Sequence, residues 1–147
     1  MRVVLGCDHQ GLDLKNDLLQ FLNESGHHTG DVGCFDKTSV DWPDIAKAVA
    51  QSVASGAFER GILICGTGVG MSVAANKVKG VRAARCQDTF SVRLSREHND
   101  ANVLCLGGWI VGPRLARDLA KAFLETKFEG GRHERRLEKV RAMEQNL

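Results

Sequence analysis

No two cysteines of this chain are spaced as CxxC, and their number is odd: five, at positions 7, 34, 65, 86 and 105. That pattern argues against a thiolate zinc site and against a disulfide framework, so reduced thiols in a cytosolic protein are the simplest reading. Net charge is scarce as well. A balance of +2 over 147 residues gives no footing for nucleic acid or a membrane surface as partner. No apolar segment is long enough for a signal peptide or a membrane span, and the N-terminal MRVVLGCDH runs straight into a core strand, so a cytoplasmic location is expected. Internal repeats, low-complexity tracts and linkers are missing too, which leaves one domain over residues 1–147. What is present is ordinary for a globular protein: 43% hydrophobic and 26% charged residues, enough for a single core.

Apolar periodicity alternates between two kinds of segment. Arg2–Cys7 (RVVLGC), Gly61–Cys65 (GILIC) and Val103–Leu106 (VLCL) are short apolar runs expected as strands buried on both faces. Weaker strands are expected over His28–Val32 and Val81–Ala84. Between them, Leu14, Leu18, Phe21 and Leu22 form one helical stripe, ended by Gly26. Ile45, Val49 and Val53 mark a second helix that starts near Pro43 and closes at Gly56. Further helices are expected over Met71–Asn76 and Thr89–Glu97, along Leu115, Leu119 and Phe123, and over residues 132–146 with Leu137, Val140 and Met143 as a thin stripe. Such alternation implies right-handed βαβ units and a parallel sheet covered on both faces, in which ligands bind at the carboxyl ends of the strands.

Those ends carry Asp8-His9, Cys65-Gly66-Thr67 and Gly107-Gly108. After Cys65, glycines alternate at Gly66, Gly68 and Gly70. Small residues there let backbone N–H groups converge on an anion at a helix start; the bland alternative is a tight turn with no ligand. The spacing is GxGxG with no Gly-Lys-Ser/Thr after it, so neither a dinucleotide fingerprint nor a P-loop fits. A thiol beside a helix N-terminus is activated by the partial positive charge, which recommends Cys65, although Cys7 ends its own strand in a comparable position and location alone does not choose between them. Polar groups just after a buried strand, as at Asp8-His9, are costly unless satisfied or used. A second polar cluster, His98-Asn99-Asp100, precedes the Val103 strand. From Arg132 to Arg141 positive charge is concentrated, and Arg132 and Arg136, four apart on one helix face, suit a phosphate.

Taken together, Gly6-Cys7-Asp8-His9, GILICGTGVGMSVAANK over 61–77, SREHNDANVL over 95–104 and EGGRHERR over 129–136 resemble the type B ribose-5-phosphate isomerase family, which also includes allose-6-phosphate and galactose-6-phosphate isomerases. The resemblance spans almost the whole chain. It implies a three-layer α/β/α Rossmann-like fold with a five-stranded parallel sheet, and a reaction without metal or cofactor. It also implies a homodimer or dimer of dimers with shared active sites, the C-terminal helix reaching the partner subunit. Carried over by the same resemblance, Cys65 is the base that moves a proton between carbons 1 and 2, assisted by Thr67. The backbone from Gly68 to Ser72, with Gly66, Gly70 and Met71, surrounds the enediolate. His98 opens the furanose ring, aided by Asp8; Asn99 binds a substrate oxygen; and His9, Arg132 and Arg136 hold the phosphate. Some members use a glutamate base just after the third glycine, but Met71 stands there and accepts no proton.

Two positions depart from the pattern. Trp42 replaces the usual tyrosine before the proline, still able to stack on a sugar, and Trp109 stands where many members carry a phosphate-binding arginine. Both point to a pocket tuned to another sugar phosphate, such as one of four carbons. Two further readings remain at this stage: a non-catalytic nucleotide- or anion-binding module, and a subunit inactive unless paired with a related chain.

Overall fold

A computed structural model describes residues 1–145. Along the chain run β1 (Arg2–Cys7), α1 (Leu12–Glu24), β2 (His28–Asp31), α2 (Trp42–Ala54), β3 (Arg60–Cys65) and α3 (Val69–Ala75). They are followed by β4 (Ala83–Arg85), α4 (Thr89–Glu97), β5 (Val103–Gly107), α5 (Pro113–Glu125) and α6 (Arg132–Glu144). All five strands pair in parallel, in the order β2-β1-β3-β5-β4. The expected five-stranded parallel sheet with helices on both faces is what forms.

Each central strand is buried on both sides, and its side chains alternate between two helical layers, as the two-residue period of a strand requires. Val3, Leu5 and Cys7 of β1, Ile62 and Ile64 of β3, and Leu104 and Leu106 of β5 pack with α1, α4 and α5 through Leu18, Leu22, Val92, Leu119 and Phe123. Val4, Leu63, Cys65, Val103 and Cys105 pack the other way, with Val49 and Val53 of α2 and Met71 and Ala75 of α3. Full burial of each such aliphatic side chain contributes about 1.5–3 kcal/mol, so both layers are needed to hold the sheet. Cys7 and Cys65 both end central strands, but they point into opposite layers.

Some boundaries differ from expectation. The helix after the glycine loop starts at Val69, two residues before Met71, so Gly70 belongs to its first turn. Strand β4 covers Ala83–Arg85 instead of 81–84; Val81 is buried but precedes it, in the segment that leads out of α3. Strand β2 stops at Asp31, one residue short. In α5 the buried stripe is Ala116, Leu119, Ala120, Phe123 and Leu124, with Leu115 exposed. On α6 only Leu137 of the three expected apolar positions is buried, and Val140 and Met143 face outward. The expected helical residue 146 lies outside the described residues. No helix among them is long and apolar enough to cross a membrane.

Under the sheet edge, Lys15 is fully buried, its ammonium held by Asp31 Oδ1 and Oδ2 at 2.7 and 2.8 Å and by the Cys34 carbonyl at 2.6 Å. This bridge ties α1 to β2 and to the loop leading to α2. That loop in turn reaches the end of β1, where the Cys7 N–H donates to the Gly33 carbonyl at 2.6 Å.

Candidate active site

At the carboxyl ends of β1, β3 and β5 lies an open cleft of about 310 Å³, lined by Asp8, His9, Gln10, Trp42, Cys65, Gly66, Thr67, Gly70 and Trp109. Three loops build it, and they approach so closely that side chains are excluded where they meet. A Cβ on Gly66 would lie 2.7 Å from the Trp109 ring, and one on Gly107 would lie 2.9 Å from the Thr67 carbonyl carbon. Gly68 caps α3 with φ at 79°, the left-handed region that glycine enters without penalty.

The sulfur of Cys65 sits at the root of the glycine loop and accepts the Gly68 N–H at 3.1 Å. Thr67, exposed beside it, accepts the Val69 N–H on Oγ1 at 3.3 Å, while its carbonyl is held by Arg85 Nε at 2.7 Å. The Ser72 N–H is taken by the Gly68 carbonyl at 3.2 Å. Of the five N–H groups from Gly68 to Ser72, this leaves those of Gly70 and Met71, first-turn donors with no partner inside their own helix. The Met71 side chain is fully buried in the α2–α3 layer, so only its backbone faces outward. Ser72 is half-buried, and its hydroxyl donates to the Val69 carbonyl at 2.8 Å.

Cys7, the competitor on sequence position, is a different environment. Its thiol lies 3.8 Å from the Cys34 sulfur, and burial first, then the neighbouring Cys34, pushes its pKa up to about 12. Burial likewise pushes the Cys86 and Cys105 thiols up. Among the five, only Cys65 lines the cleft.

Opposite the glycine loop, the buried Asp8 carboxylate accepts the Gln10 N–H at 2.9 Å, turning the chain sharply after β1. His9 Nδ1 accepts a long hydrogen bond from the Val40 N–H, 3.4 Å. Two indoles wall the cleft. Trp42, first residue of α2, packs on Gly70, where an added Cβ would come 3.0 Å from its ring, and Trp109 packs on Gly66. The Trp109 N–H donates to Gln10 Oε1 at 3.2 Å.

The remaining sequence-selected residues are not in this cleft. In a parallel sheet the crossover helix runs back toward the amino ends of the strands, so His98, which caps the C-terminus of α4, lies at the opposite end of the sheet from Cys65. There its ring stacks on that of His133, centroids 4.2 Å apart and planes 12° from parallel. Asn99 is exposed, and its carbonyl accepts from Arg82 Nε at 3.1 Å. Arg132 and Arg136 lie one turn apart at the start of α6, both exposed. One chain thus carries two half-sets of the expected residues, Asp8 to Ser72 at one end and His98 to Arg136 at the other. Sequence reading missed Gln10 as a cleft residue and missed His133 and Glu129 beside His98. Gln10 joins Trp109 across 99 positions, a contact that no local pattern encodes.

Residues 3–140 match the family described as Ribose/Galactose Isomerase. The chain belongs to that family. Ribose-5-phosphate isomerase B of Escherichia coli is 46% identical over 144 residues, covering 98% of this chain and 97% of the relative. D-erythrulose-4-phosphate isomerase of Pectobacterium atrosepticum is 39% identical over 142 residues, 95% and 93% of the two chains. Among solved structures, Clostridium thermocellum ribose-5-phosphate isomerase B superposes with a TM-score of 0.98 at 46% identity, covering 99% of each chain. Membership of the ribose/galactose isomerase family makes the chain an enzyme, a sugar-phosphate isomerase, and removes the ground for the non-catalytic binding module.

Proposed function

We propose that the enzyme interconverts ribose 5-phosphate and ribulose 5-phosphate by proton transfer through an enediolate, with Cys65 as base. The observation that carries this reading is the Cys65 sulfur in the cleft at the foot of the glycine loop, with first-turn N–H groups of Gly70 and Met71 beside it. A base there takes the proton from one carbon and returns it to the next, and the charge left on oxygen meets those donors. Removing a single preorganised donor of this kind typically costs about 3–4 kcal/mol in the transition state. Thr67 assists the transfer, and Gly66, Gly68 and Ser72 complete the loop around the substrate. Trp42 stacks on the sugar.

In this reading two copies share each site. Asp8, His9 and Cys65 come from one chain, and His98, Asn99, Arg132 and Arg136 from the other. His98 opens the furanose ring, with Asp8 assisting. Asn99 binds a substrate oxygen, and His9, Arg132 and Arg136 hold the phosphate. A two-fold arrangement that brings the carboxyl end of one sheet to the amino end of the other completes both sites at once.

Subunit mixing tests this. Cys65→Ala and His98→Ala homodimers are each expected to be inactive. Exchanged subunits carry one intact site per mixed dimer, so a statistical mixture regains roughly a quarter of wild-type activity. No regain on verified exchange refutes the shared site; wild-type protein inert toward ribose 5-phosphate refutes the substrate.

A second substrate reading has its own support. Trp42 and Trp109 stand on the glycine loop from two sides, and Trp109 replaces a phosphate-binding arginine common in the family. A narrower cleft with one fewer cation favours a shorter sugar phosphate, such as the four-carbon substrate in the name of the Pectobacterium relative. A kcat/KM panel of erythrulose 4-phosphate, ribose 5-phosphate and allose 6-phosphate decides it; a clear preference for ribose 5-phosphate ends the four-carbon reading.

A further inference from the structure

Beside the end of α4, the connection from α5 folds back so that the Glu129 N–H donates to the Glu97 carbonyl at 3.0 Å, and the His133 N–H donates to the Gly130 carbonyl at 3.0 Å. These two bonds fix Glu129 and His133 against His98. His133 is 3% exposed, and its Nε2 is buried without a hydrogen-bond partner among the described residues. Glu129 Oε2 approaches that nitrogen to 3.3 Å, in a geometry that makes no hydrogen bond. One ring nitrogen from each histidine and one Glu129 oxygen all lie within 4.8 Å of one another.

We infer that His98, His133 and Glu129 form a binding site for a borderline divalent cation of the Zn²⁺ type. Two imidazoles and one carboxylate are a three-ligand set that leaves a fourth position open. The nitrogens select zinc, cobalt or nickel over magnesium and calcium, which prefer an all-oxygen shell. Ligand atoms about 2.0–2.2 Å from a tetrahedral centre are roughly 3.4 Å apart, so the set must close and the His98 ring must turn out of its parallel stack on His133. His133 is locked, but His98 is half-buried and Glu129 is exposed, and these two supply the movement. The positive charge of Arg132 and Arg136, felt at His133, opposes a cation. The site therefore fills with added metal and does not scavenge traces.

The consequence for catalysis rests on the role given to His98 under the proposed function. A ring nitrogen bound to zinc carries no proton to or from a sugar oxygen, so the same ion inhibits the isomerase. Metal uptake itself does not depend on that role, which keeps the two claims separable.

Metal-stripped protein is titrated with Co²⁺, followed by its visible absorption and by calorimetry, and then displaced with Zn²⁺. One equivalent per chain is expected, without the intense thiolate-to-cobalt band of a cysteine ligand. Glu129→Gln and His133→Asn should each weaken binding at least tenfold. Glu129→Gln, which leaves the proposed catalytic groups in place, should turn over normally and need at least tenfold more Zn²⁺ for half-inhibition. Absence of uptake, uptake undiminished in both variants, or a thiolate band abolished by Cys65→Ala would each overturn the site. Binding lost in both variants but without inhibition of the wild type upholds the site and removes His98 from the reaction.

Discussion

Replacing Cys65 by alanine deletes one sulfur atom from a residue that is only 6% exposed, so the structural and the chemical consequences can be separated by size. The sulfur is comparable to a buried methylene, worth about 0.8 kcal/mol. The Gly68 N–H, which donates to it at 3.1 Å, loses its acceptor at a further cost of about 1 kcal/mol. The sum of about 2 kcal/mol lowers Tm by roughly 4–8 °C in a chain of this length. A positioned base contributes about 10²–10⁴ in rate, which is about 3–5.5 kcal/mol of barrier. Turnover therefore falls at least a hundredfold in a protein that remains folded at assay temperature, as read by ribose 5-phosphate isomerisation and by thermal melting followed by circular dichroism. Serine at the same position keeps an oxygen for the Gly68 N–H and recovers part of the lost Tm, yet leaves turnover low, because a hydroxyl is a far poorer base near neutral pH. An alanine variant within threefold of wild-type turnover would refute the argument. So would a serine variant in which activity returns in step with stability.

Asp31→Ala strands the buried Lys15 ammonium; breaking a buried pair this way costs about 3–5 kcal/mol, and the partial exposure of Asp31 places the value near 3 kcal/mol, read from the urea midpoint. A loss under about 1 kcal/mol would mean that the Cys34 carbonyl alone satisfies the lysine. Gly68→Ala forces a side chain to φ 79° and costs about 1–2 kcal/mol from the backbone alone, with a larger loss of turnover because the N–H on Cys65 shifts. Arg117 hydrogen bonds hold the Asp17 carboxyl below the usual carboxylate range. The folded state then keeps that proton off while the unfolded state takes it up, so this stabilisation is full above about pH 4 and is lost as pH falls through the folded value. Asp17→Asn should flatten the urea-midpoint profile in that acid window, and an unchanged slope would contradict it. Iodoacetamide near neutral pH should modify Cys65 ahead of Cys7 and Cys105, which burial keeps protonated; mass spectrometry of the peptides gives the order.

The central strands were legible because β1, β3 and β5 are continuous apolar runs between glycine-rich turns, a pattern that parallel, doubly covered strands impose. Strand β4 was misplaced for the opposite reason. It is three residues long and half-buried or exposed at the sheet edge, so Val81, the most buried residue nearby, drew the expectation upstream. The start of α3 was hidden inside the glycine loop, where alternating glycines read as turn although Gly70 adopts the helix. Among the candidate site residues, Asp8, His9, Cys65 and the glycines of the loop followed from strand ends and the glycine spacing, whereas Trp42, Thr67, Met71, Ser72 and the choice of Cys65 over Cys7 rested on the family resemblance. The distance of His98 from Cys65 did not, because it depends on the direction of α4 across the sheet. Neither did the stack of His98 on His133 or the Trp109–Gln10 bond, which join segments far apart in the chain.

The alternation along β3 has a further consequence. Cys65 and Ile64 are neighbours in sequence but belong to separate layers, so the cysteine reaches the cleft because an even number of steps separates it from Gly61 and Leu63. Deleting or inserting one residue within β3 would hand its place to a neighbour and turn the thiol toward the layer that already holds Cys7. Two residues added would preserve the facing and only lengthen the strand. The address of the proposed base is in this sense a matter of parity along β3.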